Sequence, residues 1–289
     1  MTTAIAWAAS FEFKRKTKTP QTNSLQTKRK TKSSIQILSD LHLESPKSYD
    51  TFEITPIAPY LALIGDIGCV KDPEYLSFLS QQLSKFKIVF LVPGNHEPFH
   101  SSWATTKKKL RQLETENAGE KLGLFVLMDQ TRYDISPELT ILGCTLFSNI
   151  LPGQEERVSL GFSDFRYIED WTVEDHNRAF IADLAWLNAR VKSIAEIEPE
   201  RKIIILTHYS PTTSPETINP AHSESRISSG FSTDLSGEGC WSSRRVKVWV
   251  FGHTHFNCDF VESRTGKRVV TNQRGHEAAG FDGEKWVEA

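Results

Sequence analysis

The chain has 289 residues, of which 38% are hydrophobic, 10% aromatic and 24% charged, a globular balance that excludes a disordered, collagenous or disulfide-stapled miniature. Its formal net charge of −2 is unevenly spread: residues 1–34 hold eight basic side chains and one acid, leaving 26 basic and 35 acidic residues, a net −9, for the rest. A body this acidic argues against a main surface that grips a nucleic-acid backbone, and no apolar run reaches the 18 residues of a membrane span.

Residues 10–34, rich in Lys, Thr and Ser, have almost nothing to bury, so residues 1–34 read as a basic, disordered tail and 35–289 as the folded domain. Within the tail Lys14-Arg15 and Lys28-Arg29-Lys30 stand 12 residues apart, a pattern resembling a bipartite nuclear-import signal. Met1–Ser10 lacks the basic start and apolar stretch of a secretory leader. Cys69, Cys144, Cys240 and Cys258 show no Cys-x-x-Cys spacing and are expected to be reduced. The expected location is intracellular, cytoplasmic or nuclear.

From residue 35 short β-branched runs alternate with helical patterns. Ile35–Ser39, Tyr60–Ile64, Lys87–Val92, Leu122–Leu127 and Leu139–Phe147 read as strands, continued by Ile203–Thr207, Val246–Phe251, Cys258–Val261 and Arg268–Thr271. Leu76, Leu79, Leu83 and Phe86 recur at helical spacing, as do Phe180, Leu184, Leu187, Val191 and Ile194, with Thr172 placed to cap the second helix. A third helix is expected over about Ser101–Glu116. Pro211–Ser243 has no period and is rich in Ser, Thr, Gly and Pro, which marks a functional or disordered loop.

Metal-ligand residue types stand where these strands end, the place at which α/β sheets present their sites. Ile35–Ser39 runs into Asp40-Leu41-His42, and an extended chain there puts Asp40 and His42 on one side by the two-residue period. Tyr60–Ile64 ends in Gly65-Asp66, Lys87–Val92 in Pro93-Gly94-Asn95-His96-Glu97, and Ile203–Thr207 in His208. Val246–Phe251 delivers Gly252-His253-Thr254-His255, two imidazoles at i and i+2 after a glycine. Each piece alone is commonplace; five at successive strand ends are not. The donors are carboxylate, imidazole and amide oxygen without thiolate, which suits Mn²⁺, Fe or Zn²⁺ better than Cu(I) or Ca²⁺.

In this order the blocks Asp-x-His, Gly-Asp, Gly-Asn-His-Glu, a later His and Gly-His-x-His resemble the calcineurin-like metallophosphoesterases, over roughly residues 35–275. The resemblance implies an α/β fold (α+β by some schemes), a four-layer αββα sandwich of two mixed sheets with helices outside. It also implies two metal ions, one held by Asp40, His42, Asp66 and His255 and the other by Asp66, Asn95, His208 and His253. Asp66 would bridge them, and a hydroxide shared between the ions would attack a phosphomonoester or phosphodiester in line. His96 would donate a proton to the leaving oxygen or stabilise the transition state.

Two departures bear on the substrate. In the family's serine/threonine protein phosphatases an aspartate three residues after Gly-Asp steadies the catalytic histidine; Cys69 stands there, with Asp72 or Glu97 as substitutes. Those phosphatases also follow the middle histidine with Gly-Gly, whereas this chain reads His208-Tyr209-Ser210-Pro211. A small-molecule phosphoester is therefore favoured over a phosphoprotein, with no membrane partner. The rivals are a nuclease, suggested by the basic tail and opposed by the acidic body, and a non-catalytic scaffold, opposed by the complete set of candidate ligands. Loop 209–245 is expected to shape the substrate pocket, with His222 within possible reach. His100, His176 and His276 read as surface or structural, Trp241 and Trp249 as packing, and Arg226, Arg244, Arg245 and Arg274 as surface cations rather than phosphate clamps.

Overall fold

Apolar runs without alternation belong to strands buried on both faces, and such strands need a layer on either side. The structure, a computed structural model, describes residues 7–9, 34–117 and 122–275. Strands β1 (Trp7–Ala9), β2 (Ile35–Leu38), β3 (Tyr60–Ile64), β4 (Ile88–Val92) and β5 (Leu124–Leu127) form a first sheet in that order. β2 to β5 are parallel, and β1 lies antiparallel on β2. Strands β6 (Thr131–Ser136), β7 (Leu139–Cys144), β8 (Lys202–Thr207), β9 (Val246–Val250), β10 (Asp259–Val261) and β11 (Arg268–Val270) form a second sheet. Its order is β10-β11-β9-β8-β7-β6, with a parallel centre and antiparallel edges.

The two sheets pack face to face. Ile35, Ile37, Ala62, Ile64 and Phe90 of the first meet Ile141, Ile204, Leu206, Val248 and Val250 of the second in one buried cluster. Because successive residues of a strand face opposite ways, Leu61, Leu63, Val89 and Leu91 point outward, to Phe78, Leu79 and Leu83 of α1 (Pro73–Lys85) and Leu110 of α2 (Trp103–Asn117). On the far side Ile203, Ile205 and Trp249 cover Phe180, Leu187, Val191 and Ile194, one stripe of a long helix. Between α2 and that helix lie α3 (Glu155–Gly161) and α4 (Asp164–Tyr167); the helix itself is α5 (Val173–Ile197), and α6 (Gly239–Ser242) packs near it. The result is the αββα sandwich of two mixed sheets that the family resemblance implies. Each of these large side chains, fully buried, contributes about 1.5–3 kcal/mol.

Thr172 caps α5 as expected, in a capping box with Asp175. Other boundaries differ for physical reasons. The run Leu139–Phe147 stops pairing at Cys144, because Leu146 and Phe147 turn to φ of +72° and +57°. The run from Leu122 pairs only from Leu124. β6 has no apolar run to announce it, since its residues are exposed or half-buried along a sheet edge. β1 falls within the stretch read as tail. Ser10–Ser33, with both basic pairs of the import-like pattern, and the segment from His276 onward lie outside the described residues. Within Pro211–Ser243 there are three single 3-10 turns and α6, with a bridge from Ser210 to Ser232. No helix among the described residues is long and apolar enough to cross a membrane.

Candidate metal centre

The parallel strands β2, β3, β4, β8 and β9 discharge Asp40–His42, Asp66, Asn95–His96, His208 and His253–His255 at one edge of the sandwich. Backbone bonds sew the two sheets together there: Ser39 N–H donates to the Asn272 carbonyl, and Arg274 and Gly275 N–H donate to those of Ser39 and Asp40, while Gly252 N–H donates to the His208 carbonyl within the second sheet. His253 N–H donates to the Asp40 carboxylate.

The convergence of Asp40 with His42 does not come from an extended chain. Asp40, His42, Asp66, His253 and His255 have φ of +53°, +48°, +53°, +68° and +49°. For residues other than glycine this region costs on the order of 1–3 kcal/mol each and persists only where the surroundings over-determine it. Here they do, since Asp40 and His42 N–H donate to the carbonyls of Gly65 and Asp66, and His255 N–H donates to Gln273 Oε1 at 2.6 Å. Two glycines make the close approach possible: Gly65, at φ +83°, lies where a Cβ would overlap the His208 ring, and a Cβ on Gly252 would overlap Ser39 Oγ and Asp40 Oδ2.

The seven candidate ligands form one cluster. His42 Nε2 and His255 Nε2 face each other at 2.9 Å, and His255 Nε2 lies 3.3 Å from Asp40 Oδ1. Asp66 turns Oδ2 toward His42 Nε2, at 4.0 Å, and Oδ1 toward His208 Nε2, at 3.4 Å. His208 Nε2 is also 3.0 Å from Asn95 Oδ1. Asp40, His42 and His255 form one group able to hold a metal ion, and Asp66, His208 and His253 another. Supporting bonds fix the orientation. His208 Nδ1 pairs with the Ile64 carbonyl at 2.8 Å, leaving Nε2 for the cluster, and Asn95 Nδ2 donates to Asp164 Oδ1 at 2.9 Å, which aims Oδ1 inward. Tyr209, the residue that departs from the protein-phosphatase pattern, donates its hydroxyl to Asp164 at 3.4 Å and packs its ring on His253 with centroids 4.1 Å apart.

The electrostatics of the cluster favour positive charge. Burial works against protonated imidazoles, yet the Asp66 carboxylate lifts His208 to about 10 and His96 to about 9. Burial, joined by the neighbouring His208 charge, drives His253 well below the usual imidazole range. Its Nε2 is buried without a hydrogen-bond partner. A buried acceptor without a donor, a nitrogen pair at 2.9 Å and two buried carboxylates fit cations of the nitrogen- and oxygen-preferring kind.

His96 reaches the same carboxylate, its Nε2 3.9 Å from Asp66 Oδ2, and its ring stacks on Phe99 at 4.1 Å. Neither Asp72 nor Glu97 holds it. Asp72 accepts from Tyr49 and pairs with Lys47, while Glu97 accepts from the N–H groups of Asp66, Ile67 and Gly94 and from the Tyr75 hydroxyl, tying two ligand loops together. The residue on His96 Nδ1 is Glu44, at 2.7 Å, whose same oxygen lies 3.3 Å from His42 Nδ1. Burial alone would raise the Glu44 carboxyl, but its bonds to His42 and His96 hold it at about 2. Glu44 escaped the sequence reading, although it continues the two-residue spacing of Asp40-Leu41-His42-Leu43-Glu44; Asp164 has no local signal.

Residues 34–257 match the sequence profile described as calcineurin-like phosphoesterase. The chain belongs to this family. It is 26% identical over 279 residues to the uncharacterized protein L509 of Acanthamoeba polyphaga mimivirus, covering 88% of this chain and 96% of that protein. The crystal structure of phosphopantetheinyl hydrolase from Mycobacterium tuberculosis superposes with a TM-score of 0.64 at 17% identity, over 84% of this chain and 90% of that one, a likeness of fold.

A cleft of about 430 Å³ opens on the calcineurin-like centre, reaching from Asp66, Asn95 and His253 to Thr217 and His222. The loop expected to shape the pocket thus supplies much of its wall. Of the remaining candidates, His100 packs on Tyr167, His176 is buried beneath Tyr209, and Trp249 packs on Trp241 while donating Nε1–H to Thr207. None of Arg226, Arg244, Arg245 and Arg274 lines the cleft; Arg274 donates to the Leu41 carbonyl and lies over Phe52. His276 is outside the described residues.

Proposed function

We propose that this chain hydrolyses a small-molecule phosphomonoester or phosphodiester with two metal ions, Mn, Fe or Zn. Asp40, His42, Asp66 and His255 hold one ion, and Asp66, Asn95, His208 and His253 the other. The observation that supports this reading is the position of Asp66 between the two ligand groups, with Oδ2 toward His42 and Oδ1 toward His208, where one carboxylate could serve two ions. When bound, such an ion pair polarises the phosphoryl group and supplies a nucleophile from water at neutral pH. Asn95, steadied by Asp164, and His208, steadied by the Ile64 carbonyl, keep their donor atoms aimed inward. His96 gives the leaving oxygen a proton from Nε2, while Glu44 accepts from Nδ1–H and fixes the ring's tautomer and direction.

The test is hydrolysis of p-nitrophenyl phosphate, bis-p-nitrophenyl phosphate and p-nitrophenyl phenylphosphonate by Mn²⁺-loaded protein, with metal content measured on the same samples. Wild type should bind about two ions and cleave at least one ester, and Asp66→Asn should abolish turnover and lower the stoichiometry. Wild-type protein that neither retains metal nor cleaves any of the three would end the proposal.

A further inference from the structure

Beyond the cluster, the cleft presents an unusual lining for an enzyme of anionic substrates. Its lining is largely apolar and hydroxylic, with Phe162, Ile227 and Phe231 together with Ser163, Ser223 and Ser228. Phe162 and Phe231 lie with ring centroids 4.8 Å apart and belong to a small apolar cluster with Val158 and Ile227, so the aromatic wall is held from behind. Among the described residues no lysine or arginine lines the cleft, and beyond the cluster and His96 beside it His222 is the one lining side chain able to carry positive charge. Asp164 adds a carboxylate to the same wall.

This lining has a physical consequence for whatever is attached to the reacting phosphorus. A second anionic group along the cleft would lose hydration without gaining a fixed cation, and burying an unpaired charge is costly. A planar or aliphatic arm would instead gain contact with two phenyl faces, and neutral amides or hydroxyls would find serine hydroxyls to pair with. We infer that the cleft selects phosphoesters with a single phosphoryl group on a neutral, largely apolar arm, and rejects polyphosphates and nucleic-acid strands. This inference rests on the phosphoesterase reading of the centre for its subject. Its test does not require turnover.

The test is calorimetric titration of the Mn²⁺-loaded full chain, at about pH 8, with three phosphonates that are not hydrolysed. Methylphosphonate has no arm, benzylphosphonate has an aromatic arm, and p-xylylenediphosphonate has the same arm with a second anion at its far end. Benzylphosphonate should bind about tenfold more tightly than methylphosphonate, and the diphosphonate about tenfold more weakly than benzylphosphonate. Phe231→Ala should narrow the first gap. Ser223→Arg, at an exposed position of the lining, should close the second. Equal affinity for methyl- and benzylphosphonate, tighter binding of the diphosphonate to wild type, or no binding of any of the three would overturn the inference. Hydrolysis of p-nitrophenyl phosphate by the same preparation separates the two claims: arm selectivity without turnover refutes the enzyme alone, and turnover without arm selectivity refutes the arm alone.

Discussion

From the first sheet come both carboxylates and the amide of the centre, Asp40, Asp66 and Asn95, with His42, His96 and, just past β2, Glu44; from the second come three imidazoles, His208, His253 and His255, and no acid. The first sheet therefore carries the negative charge and the proposed proton donor, and the second carries imidazoles that complete each group. Neither half is a site alone. Docking the sheets buries Asp40 and Asp66 against rings that answer them only by holding protons or by sharing a cation. The difference teaches that the chemistry of this fold is concentrated on one sheet and its assembly depends on the other, so substitutions on the two sides should fail in different ways.

The largest effect should come from the first sheet. His96→Ala should lower kcat by about 10²–10⁴-fold with metal content unchanged. Glu44→Gln, acting through the ring it holds, should cost about 10–100-fold. The double variant should then be no slower than His96→Ala alone, because a residue that works only through another has nothing left to lose. Losses that add in the double variant would show that Glu44 acts by a separate route, its contact with His42 being the obvious one.

The contrast between the sheets also explains what could be read from the sequence. Strands β3, β4, β8 and β9 were legible because burial on both faces leaves unbroken apolar runs, and Asp66, His208 and His253 were legible because they follow those runs directly. β6 was not, since an exposed edge leaves no such run. The reason for the pairing of Asp40 with His42 was not legible either, because left-handed backbone is imposed by bonds to residues distant in the chain, such as Gly65. Glu44 was hidden for a similar reason: the His96 ring that it holds is 52 residues away. Asp164, 69 residues from Asn95, emerges only when α4 is seen beside β4.

On the second side the expected failure is one of stability with chemistry spared. His176, near the start of α5, accepts from Ser148 N–H at 3.1 Å and is enclosed by Phe147, Phe165, Trp171 and Tyr209. Burial lowers its ring from 6.5 to about 3. A base with a depressed folded pKa contributes its full stability above the unfolded value and loses it as pH falls toward the folded one. Between pH 6.5 and 5 this amounts to about 2 kcal/mol. Urea unfolding at pH 7.5 and 5 should show wild type losing about 2 kcal/mol more than His176→Gln over that interval, since the groups that titrate elsewhere in the chain cancel in the difference. Equal slopes would mean that the ring is solvated or paired in a way that the packing does not indicate.

The smallest effect tests how far the second side is independent of the centre. Thr172 caps α5 by accepting from Asp175 N–H, while Asp175 accepts from Thr172 N–H. Thr172→Ala should cost about 1 kcal/mol of stability. Its distance from the chemistry is bridged by one run of contacts, in which His176 packs on Tyr209, Tyr209 donates to Asp164, and Asp164 holds Asn95. If that run only supports packing, Thr172→Ala lowers the urea midpoint and leaves kcat and metal affinity unchanged. If kcat falls along with the midpoint, α5 sets the aim of Asn95, and the division between a sheet that carries chemistry and a sheet that carries assembly gives way to one coupled unit.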